Sequence, residues 1–285
     1  MTTDPGPLDG RTVAVTAERR HEEQARLFEK RGATVVHAPT MHTVDLSSDQ
    51  ALRDRTAAII ADPPDWTVAT TGFGMRLWFE AADRWGLGDA LGEALGRSGV
   101  VARGPKARSV CRQRGMDPAW TAPDESMPEV LAWLANQPGI ADATVAVQLF
   151  DTADHPSTGE LRSMARSVVD VPIYRWRLPD DRARVVELAR RIVAREVDAV
   201  TFTSQPAVRF LHQIAGDAGL ADAMVEAFND GSVVPACVGP VCAEAGAEVG
   251  ISTMVWPEQF RLVPMVRLVE EVLKGNGATR VRSKP

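Results

Sequence analysis

The feature that most constrains the fold of this sequence is a weak repeat spanning nearly its whole length. Thr12-Val-Ala-Val-Thr16 returns as Thr144-Val-Ala-Val-Gln148, 132 positions later. Val35-Val-His-Ala-Pro39 returns as Val168-Val-Asp-Val-Pro172, with the prolines 133 apart. Ala69-Thr-Thr-Gly72 matches Phe202-Thr-Ser-Gln205 at 133, Arg103-Gly-Pro105 matches Val238-Gly-Pro240 at 135, and Ala122-Pro-Asp124 matches Trp256-Pro-Glu258 at 134. Each pair alone is compatible with chance resemblance among α/β units. Five pairs in one order at nearly one offset imply two structurally equivalent halves.

Each half alternates short β-branched runs with amphipathic stretches. Strands are predicted at Thr12–Thr16, Ala33–Ala38, Trp66–Thr70, Val100–Ala102, Thr144–Leu149, Val168–Val171, Ala199–Thr203, Val233–Val238 and Ile251–Val255, with a short one at Ala119–Thr121. Most are continuously apolar, as strands covered on both faces by helices must be. Helices are predicted over 18–31, 48–61, 74–85, 105–114, 127–136, 159–166, 181–196, 205–216, 221–229, 240–249 and 260–274. This βαβα order is that of a doubly wound parallel sheet, class α/β. Pro39-Thr-Met-His42 and Pro172-Ile-Tyr-Arg175 hold equivalent places in the repeat. If the chain changes lobe at both, one lobe is 1–41 with 174–275 and the other 42–173. The crossings then form a two-segment hinge, and 276–285 is a tail.

The bulk numbers narrow the function. The chain has 285 residues, enough for two domains, and a net charge of -6, which argues against nucleic-acid binding by this chain itself. An acidic ligand would need local positive potential from helix N-termini or a few cations. MTTDPGPLDG lacks the basic and apolar regions of a signal peptide, and no apolar run reaches membrane-spanning length. Three cysteines without framework spacing point to a reducing cytoplasm. Cys237 and Cys242 have no second pair to complete a zinc site, and the five histidines show no ligand spacing. Thr71-Gly-Phe-Gly74 fits neither phosphate-loop pattern, and no G-x-S-x-G elbow occurs.

Open α/β sheets bind ligands beyond the carboxyl ends of their strands, where helix N-termini present free N–H groups. Four such turns stand out: Thr71-Gly72-Phe73-Gly74, Gly104-Pro105-Lys106, Thr203-Ser204-Gln205-Pro206 and Gly239-Pro240-Val241. Ser126-Met127 and Gln259-Phe260 are further helix starts related by the repeat. Any one of these is also an ordinary βα turn; as a set they suit a polyanion. Tyr174, the single tyrosine, lies at the second crossing beside Trp176. It reads either as an aromatic anchor or as a donor toward a cleft, since a phenol with a pKa near 10 keeps its proton at neutral pH. Arg19, Arg20, Arg76, Arg103, Lys106 and Arg175 lie near the turns or the crossing, with Arg19, Lys106 and Arg175 the preferred contributors to ligand potential.

This organisation resembles uroporphyrinogen-III synthase from Thr12 to about Leu273. Its carriers are Thr16-Ala-Glu-Arg19, Phe202-Thr-Ser204, Val238-Gly-Pro240 and Pro172-Ile-Tyr-Arg175. The resemblance implies two flavodoxin-like lobes and a monomeric lyase needing no metal, nucleotide or redox cofactor. Such an enzyme closes hydroxymethylbilane into uroporphyrinogen III, with loss of water and inversion of ring D. It implies a linear tetrapyrrole polycarboxylate as substrate and Tyr174 as proton donor or orienting group. Ala17-Glu-Arg-Arg20, Thr70-Thr-Gly-Phe-Gly-Met-Arg76 and Arg103-Gly-Pro-Lys106 look like actinobacterial relatives in which the module precedes a winged-helix DNA-binding domain. The basic tail then reads as a linker toward such a domain or as a plain terminus. Where the family often has Thr, this chain has Lys106-Ala107 and Val241-Cys242, and an acidic Phe150–Gly159 segment replaces a Gly/Arg-containing one. A catalytically weak tetrapyrrole sensor is therefore the alternative. A periplasmic-type sensor is disfavoured by the N-terminus.

Overall fold

The computed structural model of the chain describes residues 6–150 and 156–275. Asp151, Asp154 and the tail 276–285 lie outside the described residues. Internal contacts divide the chain into two units, Met1–His42 with Arg177–Pro285 and Thr43–Trp176. Each is a parallel-stranded α/β body of the flavodoxin-like, doubly wound kind.

The strands are β1 (Thr12–Val15), β2 (Thr34–His37), β3 (His42–Asp45), β4 (Trp66–Ala69), β5 (Gly99–Ala102), β6 (Trp120–Thr121), β7 (Thr144–Phe150), β8 (Ser167–Arg177), β9 (Ala199–Phe202) and β10 (Val234–Cys237). The helices are α1 (His21–Glu29), α2 (Gln50–Ala61), α3 (Gly72–Arg84), α4 (Gly88–Arg97), α5 (Pro105–Gln113), α6 (Met127–Ala135), α7 (Pro156–Met164), α8 (Arg182–Val193), α9 (Gln205–Asp217), α10 (Ala221–Asn229), α11 (Pro240–Glu248) and α12 (Leu262–Leu273). One sheet runs β10-β9-β1-β2 and the other β3-β8-β7-β4-β5-β6. Among the described residues no helix is long and apolar enough to cross a membrane.

The repeat is visible in the strand register itself. Thr12 pairs with Thr34 and Thr144 with Ser167. Val13 pairs with Ala199, and Val145 with Trp66. Ala199 pairs with Val234, and Trp66 with Gly99. Ala236 bridges Val255, and Val101 pairs with Trp120. Every partner pair maps onto its counterpart within the 132–135 offset of the sequence repeat. Each sheet takes its two leading strands from one half of the chain and the next strands from the other.

The burial pattern explains why these runs become central strands. β9 is buried at all four positions and β1, β4, β5 and β10 at three of four. In the first unit Val13, Val15, Phe28, Met265, Val266 and Val269 share one core. In the second, Met75, Trp78, Phe79, Leu91 and Leu95 pack on one face of the sheet strands, while Val130, Leu131, Leu134, Val145, Val147 and Leu161 form a second cluster. Trp78 is fully buried, and its indole N–H donates to Thr56 Oγ1 at 2.9 Å. Helix starts follow capping rules. Asp49, Thr71, Ser126 and Asp181 accept backbone N–H bonds at their helix N-termini, and α5, α6, α9 and α11 carry proline in the first turn.

Several expected boundaries move. Helix α1 begins at His21, not 18, because Arg20 adopts φ 56° and breaks the helical path. Ile251–Val255 forms only a bridge at Val255: the Asn229 side chain takes the Ser252 N–H, and the Thr253 hydroxyl donates to Phe228 O. Helix α12 begins at Leu262. Strand β8 does not end at Val171 but runs to Arg177, absorbing Pro172 through a register shift after Leu149. The change of unit therefore falls after Trp176, which puts Tyr174 and Arg175 in the unit Thr43–Trp176. Helix α4 is not among the helices expected from the sequence, and it carries Gly88, Gly92 and Gly96, residues of low helix propensity. Burial of Leu91, Ala94 and Leu95 on α2 and α3 overrides that propensity.

Candidate functional site

In the unit Thr43–Trp176 the expected residues gather at the carboxyl ends of β4 and β5, beside β8. Thr71 caps α3 and accepts the Gly74 N–H at 3.0 Å. Its hydroxyl lies 3.4 Å from the Tyr174 hydroxyl. Tyr174 is only 3% exposed, and its ring packs edge-on against Phe73 at 5.0 Å and Trp176 at 5.8 Å. Gly72 and Lys106 are pressed together: a Cβ on Gly72 would sit 2.6 Å from the Lys106 carbonyl oxygen. The turns that open α3 and α5 are thus one continuous surface. Pro105 and Lys106 are exposed, and Gly104 is buried beneath Glu125. A Cβ on Gly104 would lie 3.1 Å from Glu125 Oε2. Burial pulls the Arg103 guanidinium below its ordinary pKa, opposed by Tyr174 and then Glu125.

Beneath this surface lies Gln148, fully buried. Its Oε1 accepts the Thr71 N–H at 2.9 Å and the Thr70 hydroxyl at 3.0 Å, and its Nε2 donates to Leu149 O at 2.9 Å. It fixes the turn that carries Thr71. The sequence held a signal for it, since Gln148 replaces Thr16 in the repeated Thr-Val-Ala-Val motif. Ser126 and Met127 are otherwise occupied. The Ser126 hydroxyl accepts the Glu129 N–H and donates to Asp124, and Met127 joins the core under α6. Arg175 is exposed on β8.

In the other unit, Thr203, Ser204 and Gln205 open α9, and Gly239, Pro240 and Val241 open α11. Gln205 Nε2 donates to Val241 O at 2.9 Å, joining the two turns. Ser204 makes no side-chain cap; its hydroxyl meets Met41 Sδ at 3.1 Å. Gly239 is backed by Phe260, whose Cγ would lie 3.2 Å from an added Cβ. Arg19 is exposed in the loop after β1. In that loop Glu18 pairs with His42 at 2.6 Å, and the rings of His21 and His37 stack at 3.9 Å. Among the described residues no three His, Cys, Asp or Glu side chains are placed to hold a metal ion.

A sequence profile of the uroporphyrinogen-III synthase HemD family matches residues 22–267. The chain belongs to the uroporphyrinogen-III synthase family. The uncharacterized protein YjjA of Bacillus subtilis (strain 168) is 30% identical over 260 residues, covering 91% of this chain and 94% of that one. The crystal structure of a mutant uroporphyrinogen III synthase from the extremely thermophilic bacterium Thermus thermophilus aligns at TM-score 0.78 with 29% identity, over 93% of this chain and 100% of that one. A wild-type crystal form of the same enzyme aligns at 0.63 with 28% identity, over 93% and 99%.

With the uroporphyrinogen-III synthase fold in hand, the two halves can be compared site by site. Tyr174 and Thr71 in one unit correspond, at an offset of 133, to Met41 and Ser204 in the other. Both pairs touch, at 3.4 and 3.1 Å respectively. The contact is common to both halves, but only one half places an acidic hydroxyl there.

Proposed function

We propose that this chain is a uroporphyrinogen-III synthase, a cyclising hydro-lyase acting in the cytoplasm on hydroxymethylbilane without metal, nucleotide or redox cofactor. The observation that carries this reading is the Tyr174–Thr71 contact at the mouth of α3. Its repeat counterpart, Met41–Ser204, brings the equivalent residues together without a phenol. A phenol at one of two repeat-equivalent contacts supports a proton-handling role.

In the proposed reaction the Tyr174 hydroxyl donates a hydrogen bond to the departing hydroxyl. The carbon–oxygen bond breaks as the Tyr174 proton passes to the hydroxyl, which leaves as water, and the pyrrole nitrogen's electron pair completes a cationic azafulvene. The substituted ring-D carbon attacks it to form a spiro intermediate; the bond from that carbon to its original bridging methylene then breaks, and the methylene rejoins ring D at the free pyrrole carbon, whose proton is lost and restores the phenol as the macrocycle closes. The chain supplies orientation more than chemistry, and orientation alone can be worth roughly 7–11 kcal/mol. The amides of the turns opening α3, α5, α9 and α11, with Arg19, Lys106 and Arg175, are assigned to the substrate carboxylates. Thr203, Ser204 and Gln205 join this set, as do Thr71, Gly72 and Phe73. Ser126 and Met127 are assigned only the positioning of α6, because the hydroxyl and thioether are already engaged.

The test is to generate hydroxymethylbilane in place and resolve the porphyrin isomers after oxidation. Type III product above the spontaneous type I background supports the reading. A second reading, a tetrapyrrole-sensing module acting on a following DNA-binding domain, is favoured by Val241 and Lys106, which stand where family members carry hydroxyls. It predicts tight binding of the tetrapyrrole by calorimetry with type I product only.

A further inference from the structure

The repeat provides an internal control for the turns that open α5 and α11. At an offset of 135, Gly104, Lys106 and Glu125 in one unit correspond to Gly239, Val241 and Phe260 in the other. Both glycines are extended, although Glu125 adopts φ 59° and Phe260 has no positive φ. Glu125 lies against Gly104, and Phe260 lies against Gly239, each within 3.1–3.2 Å of where a Cβ would be. What changed is chemistry. The first turn carries a lysine and a carboxylate. The second carries two apolar side chains that remain in water, Val241 at 46% and Phe260 at 52% exposure. Only one other large apolar side chain is comparably exposed among the described residues, Val263, and it sits on α12 three positions after Phe260.

An exposed phenyl costs solvation free energy unless something covers it. Phe260 lies over the buried Gly239, its Cγ 3.2 Å from where a Cβ would be. Val241 is fixed beside that turn by the Gln205 bond to its carbonyl. Two exposed apolar side chains beside the Gly239 and Val241 N–H groups, the ones at this turn that the Cys242 and Ala243 bonds to Gly239 O leave open, suit a ligand with an aromatic ring and acidic arms. A carboxylate alone gains nothing from the phenyl.

We propose that Phe260 and Val241 form a ring-binding subsite, on which one pyrrole face of the linear tetrapyrrole stacks while its acidic arms reach the Gly239 and Val241 N–H groups. The Gly104 turn, closed by Glu125, is by the same comparison a polar subsite. This assignment rests on the functional reading above and deepens it by dividing the contact work between the two halves.

The test compares wild type with Phe260→Ala, Phe260→Trp, Phe260→Leu and the transplant Val241→Lys/Phe260→Glu, which installs the charged pair of the other turn. Two readouts are used: type III formation from hydroxymethylbilane generated in place, and calorimetric binding of uroporphyrinogen III under argon. Phe260→Ala is expected to raise KM and Kd about tenfold with kcat within about twofold, and Phe260→Trp to retain both. The transplant should weaken binding at least as much as Phe260→Ala. Phe260→Leu keeps a large apolar side chain over Gly239 and should recover only part of the loss, which separates ring stacking from collapse of the turn. Wild-type values in Phe260→Ala and in the transplant, with wild type active or binding, overturn this inference alone. If wild type neither forms type III product nor binds uroporphyrinogen III, the functional reading falls and the subsite falls with it.

Discussion

Gly74→Ala is a small change with a large expected consequence. A Cβ at this position would stand 2.2 Å from Gln148 Nε2 and 2.6 Å from Gln148 Cδ. Those distances are far inside van der Waals contact, so the amide must leave. Leaving breaks its bonds to the Thr71 N–H, the Thr70 hydroxyl and Leu149 O. At about 1 kcal/mol net for each buried bond, roughly 3 kcal/mol is lost. Alanine returns about 1 kcal/mol of helix propensity over glycine. The expected net destabilisation is therefore about 2 kcal/mol. Six of the seven tryptophans, all but Trp256, lie between Trp66 and Trp176, so urea unfolding followed by tryptophan fluorescence reports on the unit Thr43–Trp176. The midpoint should fall by roughly 1 M. Gln148→Ala also destabilises, by stripping the Thr71 N–H of its partner. In the double variant the new methyl enters vacated space, so the two losses should fall short of additivity by about 2 kcal/mol. A Gly74→Ala midpoint at or above wild type, or strict additivity, refutes the reasoning.

Three further outcomes are expected. Tyr174→Phe should lower type III formation about a hundredfold, in the range of lost general-acid assistance, while changing stability by about 1 kcal/mol because the ring and its packing on Phe73 and Trp176 are kept; unchanged turnover would remove Tyr174 from the mechanism. Asp230 is held at a pKa of about 2, below the ordinary carboxylate value of 3.8, chiefly by Ser232 and also by Arg195. Its contribution to stability is present above about pH 4 and lost as pH falls toward 2, so Asp230→Asn should flatten acid unfolding in that window. His37 is pulled below 6.5, first by burial and also by His21 and Arg184, against a raising bond to Ala17 O. A histidine kept neutral in the fold stabilises above pH 6.5 and loses that contribution as pH drops through its lowered pKa. His37→Gln should reduce the slope of stability against pH below 6.5, measured by urea titrations at several pH values.

The sheets were legible because their strands are short, apolar and repeated. Thr12-Val-Ala-Val and Thr144-Val-Ala-Val announced not only two strands but equivalent registers. The strand β3 was hidden because His42-Thr-Val-Asp45 is half exposed and polar at both ends. The length of β8 was hidden by Pro172, which reads as a stop until a register shift accommodates it. At the site, the turn residues could be read from Gly and Pro punctuation, but not their neighbours. The contact of Phe260 with Gly239, and of Glu125 with Gly104, joins residues about twenty positions apart through the packing of loops. Gln148 looked like one more strand residue. Its role depends on Gly74 leaving space for an amide, a fact of three dimensions.

The repeat also sets a limit on how function can be distributed. The central strands keep equivalent partners in the two halves, so the differences that matter for chemistry are those of the side chains at their ends. Four such differences cluster at the strand ends: Gln148 for Thr16, Tyr174 for Met41, Lys106 for Val241, and Glu125 for Phe260. In each, the unit Thr43–Trp176 carries the more polar or more acidic member. Gly72 for Gln205 runs the other way, so the proposed division rests on the kind of group and not on a count: a buried phenol, Tyr174, in one unit and the exposed apolar pair Val241 and Phe260 in the other. Exchanging Tyr174 and Met41 in one variant tests that division directly. The hydroxyl would then face Ser204, and if type III formation survived the exchange at wild-type rate, the two units would be interchangeable and the division of labour wrong.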